Sequence, residues 1–106
     1  MSSSYHIKAR ELLQKLYPTC KIEEEYPIKV GNKTYFIDLY INLLKLAVEV
    51  QGEQHFKFCP HFHKTKADFY MQKKRDREKR EFLENQGITL VELRFDEESK
   101  WESQLK

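Results

Sequence analysis

The run "KTYFIDLYINLLKLAVEVQG", residues 33 to 52, constrains the fold more than any other part of the chain. It holds a period-two segment, a short break and a second period-two segment, and Gly52 then ends the pattern. The first segment, "KTYFIDLYIN", reads as a strand with Ile37, Leu39 and Ile41 on one face and Phe36, Asp38 and Tyr40 on the other. Asn42-Leu43-Leu44 turns the chain. The second segment, "KLAVEVQ", sets Leu46, Val48 and Val50 against Ala47, Glu49 and Gln51. Upstream, "CKIEEEYPIKV" alternates loosely and runs into Gly31-Asn32, a turn signal, so three strands form a meander. A helix follows from roughly Thr65 to Asn85, with Thr65 as N-cap, Asp68 in its first turn and Gly87 as its stop. The apolar strand "ITLVELRF" comes next, and a strand reached through so long a crossover pairs in parallel with one of the meander strands.

At the N-terminal end, "YHIKARELLQKLY" spaces Ala9, Leu12, Leu13 and Leu16 as a helix does, with Ser4 as N-cap and Pro18 as terminator. The tail "ESKWESQLK" closes with a short helix. The expected order is αβββαβ(α), an α/β (α+β) fold with a mixed four-stranded sheet flanked by helices. The length of 106 residues suits one domain over 1–106, with a single modest core. Hydrophobic residues at 40% and aromatics at 13% support a folded globule. No apolar run approaches the roughly 20 residues that cross a bilayer. The start "MSSSYHIKAR" has no apolar core region, so a secretory signal is not expected. Cys20 and Cys59 make no disulfide framework, and a reducing cytoplasm follows as the expected compartment.

Against this regular background, several polar residues stand in the wrong places. Asp38 lies mid-strand between Phe36 and Tyr40, although Asp is depleted in strands and an unpaired buried carboxylate is costly. Glu49 and Gln51 share one face of the neighbouring strand. If the strands are neighbours, Asp38 and Glu49 converge near their ends and repel. A divalent cation removes that conflict, and Mg²⁺ takes one or two carboxylates plus waters and phosphate oxygens. The carbonyl of Val50 is a candidate third ligand. On the long helix, Phe69, Asp76 and Leu83 recur at intervals of seven, so Asp76 interrupts an inward stripe and calls for an arginine or a histidine partner. His55 follows the strand end by four residues, and an imidazole there can accept a proton at neutral pH.

The segments "FIDLYI", "AVEVQGEQHF" and "KKRDREKREFLENQGITLVELRF" together resemble the PD-(D/E)xK nuclease superfamily. Within it the chain is most similar to the very-short-patch-repair endonucleases, the small nucleases of the DUF559 type and the phage EDxHD homing endonucleases. The resemblance runs from about Ala9 to Phe95 and implies a restriction-endonuclease-like core. It implies Asp38 as the central metal-binding aspartate, Glu49 and Gln51 at the two named positions of the ExK element, and Glu11 in "ARELLQKL" as a first-helix orienter of metal-bound water. His55 matches the general base of such branches, and Asp76 the helix aspartate that holds it. The chain departs from the pattern where Gln51 replaces the ExK lysine, so His55 would carry the acid–base work. The zinc pattern of the repair enzymes is not reproduced. "CPHFH" offers Cys59, His61 and His63, a structural zinc wants four ligands, and only Cys20 or His6 could complete the set. The other reading is a loop with its aromatics packed on the sheet.

The expected function is therefore a DNA endonuclease that hydrolyses phosphodiester bonds with Mg²⁺, for which Mn²⁺ would substitute. The formal charge is only +2, but "MQKKRDREKR", residues 71 to 80, holds six basic residues against two acidic ones. Lys73, Lys74, Arg75, Arg77 and Arg80 of that helix, with Lys57 and Lys64 before it, are candidate contacts to DNA phosphates. Such contacts carry no sequence information, so weak sequence preference or recognition of a DNA structure is expected. A homodimer would extend the footprint. The resemblance suggests a phage or mobile-element origin, acting in a host cytoplasm. Two rivals remain at this level: a nuclease-like domain that only binds nucleic acid, and an interaction module whose acids are salt-bridged to Lys45, Arg75 or Lys79.

Overall fold

The computed structural model describes residues 4–106. Helix α1 (Ser4–Leu16) leads into strands β1 (Glu23–Val30), β2 (Lys33–Ile41) and β3 (Leu46–Gln51). Helix α2 (Lys66–Asn85), strand β4 (Thr89–Arg94) and helix α3 (Trp101–Leu105) complete the order αβββαβα. The fold is α+β, with one four-stranded mixed sheet in the order β1-β2-β3-β4. The meander pairs antiparallel, and β4 pairs parallel to β3, the arrangement the α2 crossover imposes.

Local chemistry sets the element ends. Gly31 takes φ +63 in the two-residue turn that closes Val30 against Lys33. Lys45 adopts the left-handed region, φ 51, after the 3₁₀ turn Asn42–Leu44 and leads into β3. Helix α2 opens with a full capping box between Thr65 and Asp68 and is followed by Gly87 at φ +71. Helix α1 already includes Ser4, so Ser4 is not the N-cap, and the residue before it lies outside the described part of the chain. The helix stops at Leu16, ahead of Pro18.

Two apolar clusters sit on opposite faces of the sheet. Ala9 and Leu13 of α1 and Trp101 and Leu105 of α3 pack on Leu39, Ile41, Val48 and Leu93. Leu83 of α2 packs with Ile28, Tyr35, Ile37, Tyr40 and Ala47 on the other face. The expected single face for Ile37, Leu39 and Ile41 is therefore corrected: Ile37 faces α2, whereas Leu39 and Ile41 face α1. Strand β2 switches faces between these residues, opposite an irregularity in β1. Glu25 has φ +49, and the pairs Glu24↔Leu39 and Tyr26↔Ile37 leave Glu25 and Asp38 between them without a pair of their own. A non-glycine residue in that region bends the strand. Asp38 lies at the bend.

Candidate functional site

The ladder between β2 and β3 runs through Ile41↔Leu46, Tyr40↔Ala47 and Leu39↔Val48 and goes no further. Beyond it, side chains close the gap that the backbones leave. Asp38 Oδ2 accepts from the Val50 N–H at 2.8 Å, and Glu49 Oε2 accepts from the Asp38 N–H at 3.0 Å. The two carboxylates thus satisfy backbone donors where the strands diverge, which is how a sheet tolerates them. Lys79 of α2 donates to Glu49 Oε1 at 2.9 Å and to the Phe36 carbonyl at 3.0 Å. Even so, burial and then the nearby Asp38 charge push the Glu49 carboxyl up to about 8, against the pull of Lys79.

A raised carboxylate has a definite linkage sign. Glu49 contributes most to stability below the ordinary glutamate range near 4.5, and that contribution is lost as pH rises toward about 8. In chelator, the melting temperature should fall over this interval, and Glu49→Gln should remove that part of the slope. Parallel melting curves for the two proteins would count against the assignment.

Helix α2 turns Gln72, Asp76 and Lys79 toward the sheet, along the line that begins at Phe69 and ends at the buried Leu83. His55 comes from the 3₁₀ turn Glu53–His55, and its Nδ1 lies 2.8 Å from Asp76 Oδ2. A chain of bonds fixes the proton on this imidazole. The Cys59 backbone N–H donates to His63 Nδ1 at 3.1 Å, so the His63 proton is on Nε2 and is donated to Gln72 Oε1 at 2.8 Å. The Gln72 amide therefore offers N–H to His55 Nε2, at 3.4 Å. His55 Nδ1 carries the proton and donates it to Asp76, leaving a basic lone pair on Nε2.

Asp38, Glu49, Gln51, His55 and Asp76 all line one hollow of about 270 Å³, together with Val50. Glu11 is placed elsewhere: it is exposed and lines a separate groove with Lys15 and Glu102. Helix periodicity is the reason. Ala9 and Leu13 face the sheet, and Glu11, midway between them, points away. The residue of α1 on the inward face near the site is His6, whose Nε2 lies 2.8 Å from Glu24 Oε1. Gln51 is buried and donates its amide to Glu92 Oε2, while Arg80 clasps Glu92 at 2.9 and 3.0 Å. Arg80, expected as a phosphate contact, is thus committed to a carboxylate, and Lys57 is paired with Glu53.

Lys64, Lys73, Lys74, Arg75 and Arg77 are exposed, and Arg75 also borders the hollow. The loop cysteine and histidines do not converge as a zinc set. Both His63 nitrogens are engaged, His61 packs edge-on against Phe62, and Cys20 packs in the α1-side cluster.

Sequence reasoning missed Gln72 and Glu92, named His63 only for the zinc set, and named Lys79 as a salt-bridge partner of the acids, a pairing the structure shows with Glu49. Gln72 was detectable, since it falls at helical spacing between Phe69 and Asp76. Glu92 becomes visible only once β4 is aligned with β3, where it is the register partner of Glu49.

No protein-family model matches the chain, and no solved structure matches it. Two curated viral proteins are similar to it. Uncharacterized protein 307L of Invertebrate iridescent virus 6 is 46% identical over 67 residues, covering 63% of this chain and 34% of that protein. Uncharacterized protein 094L of Frog virus 3 is 38% identical over 60 residues, covering 56% of this chain and 39% of that protein. The chain therefore spans little more than a third of the length of these relatives. Among the described residues, no helix is long and apolar enough to cross a membrane.

Proposed function

We propose that this chain is a metal-dependent DNA endonuclease. One observation carries the reading: His55, oriented by Asp76 and with its other ring nitrogen only loosely held by Gln72, shares a hollow with a half-buried pair of carboxylates. That combination is what phosphodiester hydrolysis by an activated water asks for.

The Asp38–Glu49 pair fits a divalent cation. Both are acceptor groups, each accepts a backbone N–H of the other's strand, and Glu49 is held up to about 8 partly by the Asp38 charge. Asp38 and Glu49, with Val50 beside them, would hold Mg²⁺ or Mn²⁺. When bound, such an ion supplies polarisation of a phosphoryl oxygen and stabilisation of transition-state charge. The chain's own residues do the rest. His55 Nε2 exchanges the long Gln72 contact for a water and takes its proton. Asp76 keeps the ring in place and stabilises the imidazolium that forms. Lys79 supplies a positive charge beside Glu49, where Gln51 supplies none. Lys73, Lys74, Arg75 and Arg77 present a basic helix face to the DNA backbone. That face reads charge and shape, so cleavage with weak sequence preference, or at a DNA structure, follows. Action in a host cytoplasm is part of the same proposal, supported only by the viral relatives.

A supercoiled plasmid at low salt tests the reading. Nicking with Mg²⁺ and none with chelator is expected. Retardation in a gel without nicking would replace it with a domain that binds nucleic acid and does no chemistry. The committed amide of Gln51 favours that second reading, whereas the pairing of Glu49 with Lys79 is what a plain interaction module would show, and a chain that neither nicks nor retards DNA would point to that module.

A further inference from the structure

We propose that His6, Glu25 and Asp38 form a second divalent-cation site, which takes Mn²⁺ or Co²⁺ in preference to Mg²⁺. It shares Asp38 with the site described above, but it stands whether or not the chain cuts DNA. One ring nitrogen of His6 and one carboxylate oxygen each from Glu25 and Asp38 lie within 4.8 Å of one another. Among the described residues, this is the one group of three or more His, Cys, Asp or Glu side chains whose donor atoms meet in this way.

The three side chains come from α1, β1 and β2 and are brought together by folding. His6 sits on the inward face of α1 with Ala9 and Leu13. Glu25 and Asp38 are the two residues left unpaired at the bend where β2 changes face, with Glu25 at φ +49. Burial grades outward, from buried His6 through half-buried Asp38 to exposed Glu25. The cluster is thus anchored on the inside at His6 and reaches solvent at Glu25.

The donor set argues for the identity of the ion. The two carboxylates carry the charge that a dication neutralises, and the imidazole adds a nitrogen donor. Mg²⁺ is bound by oxygen and keeps its waters, whereas imidazole nitrogen favours the later first-row ions. The ring is also held by a carboxylate: His6 Nε2 meets Glu24 Oε1 at 2.8 Å, and Arg10 reaches the same carboxylate at 3.4 Å. A carboxylate behind the imidazole is the usual support of a metal-binding histidine.

Mn²⁺ bound to the full chain provides the test, read by calorimetry and by nitrogen hyperfine coupling in pulsed electron paramagnetic resonance. Imidazole-nitrogen coupling is expected in the wild type and in His55→Ala, and its loss in His6→Gln, which keeps a donor for Glu24. Glu25→Gln is exposed and should fold normally, with Mn²⁺ bound about 100-fold more weakly, at the upper end of what supporting partners alone are worth. Absence of coupling in the wild type, its persistence in His6→Gln, or unchanged affinity in Glu25→Gln would each overturn the site. Plasmid nicking without nitrogen coupling removes this site and leaves the nuclease reading standing; coupling without nicking does the reverse.

Discussion

Asp38→Asn should abolish metal-dependent nicking while leaving the fold in place. The aspartate is shared by everything at this end of the sheet: it accepts from the Val50 N–H, its backbone N–H holds Glu49, and its carboxylate is the central ligand of the proposed cation. Asn keeps an oxygen for Val50 and gives up the negative charge. A bound cation supplies several kcal/mol to the transition state. At about 1.4 kcal/mol per tenfold, losing it lowers the rate by about 10³-fold or more. Asp38→Ala should lose the same activity and, in addition, about 1–3 kcal/mol of stability, because it strands the Val50 donor. Plasmid nicking and thermal melting, measured on both variants, separate the two effects. Nicking by Asp38→Asn at the wild-type rate would move the chemistry to another part of the molecule.

The second large effect belongs to His55. His55→Ala should lower the nicking rate by about 10²- to 10⁴-fold, the range a positioned general base is worth. Binding of Mn²⁺ should be retained, because no proposed metal ligand is altered. Added imidazole should restore part of the rate, since the hollow of about 270 Å³ that opens onto Asp76 has room for a free base once the side chain is removed. Asp76→Asn should reproduce much of the loss with the imidazole still present. It removes the charge that the protonated ring relies on at 2.8 Å. A His55→Ala variant that cuts as fast as the wild type would take His55 out of the mechanism and leave Lys79 as the ionisable group nearest the carboxylates.

Much of the candidate site was legible because its residues break local rules. Asp38 in an aromatic strand, Glu49 in an aliphatic one and Asp76 in an inward helical stripe each conflict with what their element prefers, and such conflicts are detectable one element at a time. Gln72 obeys the same helical spacing but was masked by the density of polar residues around it, whereas Lys79 was named as a partner of the acids and does pair with Glu49. Glu11 illustrates the opposite error. Its position in the first helix suited the resemblance, but the helix face that Ala9 and Leu13 turn inward carries His6 instead.

Periodicity, capping residues and turn glycines determined from sequence alone the element order, the meander and the parallel return of the last strand, because each of these depends on neighbours in the chain. Tertiary structure decided the rest: the bend at Glu25 and Asp38, the divergence of β2 from β3 that makes carboxylates accept backbone N–H groups, and the approach of α2 that gives His55 its tautomer. These depend on donors and acceptors distant in sequence that find each other only when the core closes. Local patterns cannot encode which of several polar side chains will reach a given gap, because that choice is made by register, twist and packing together.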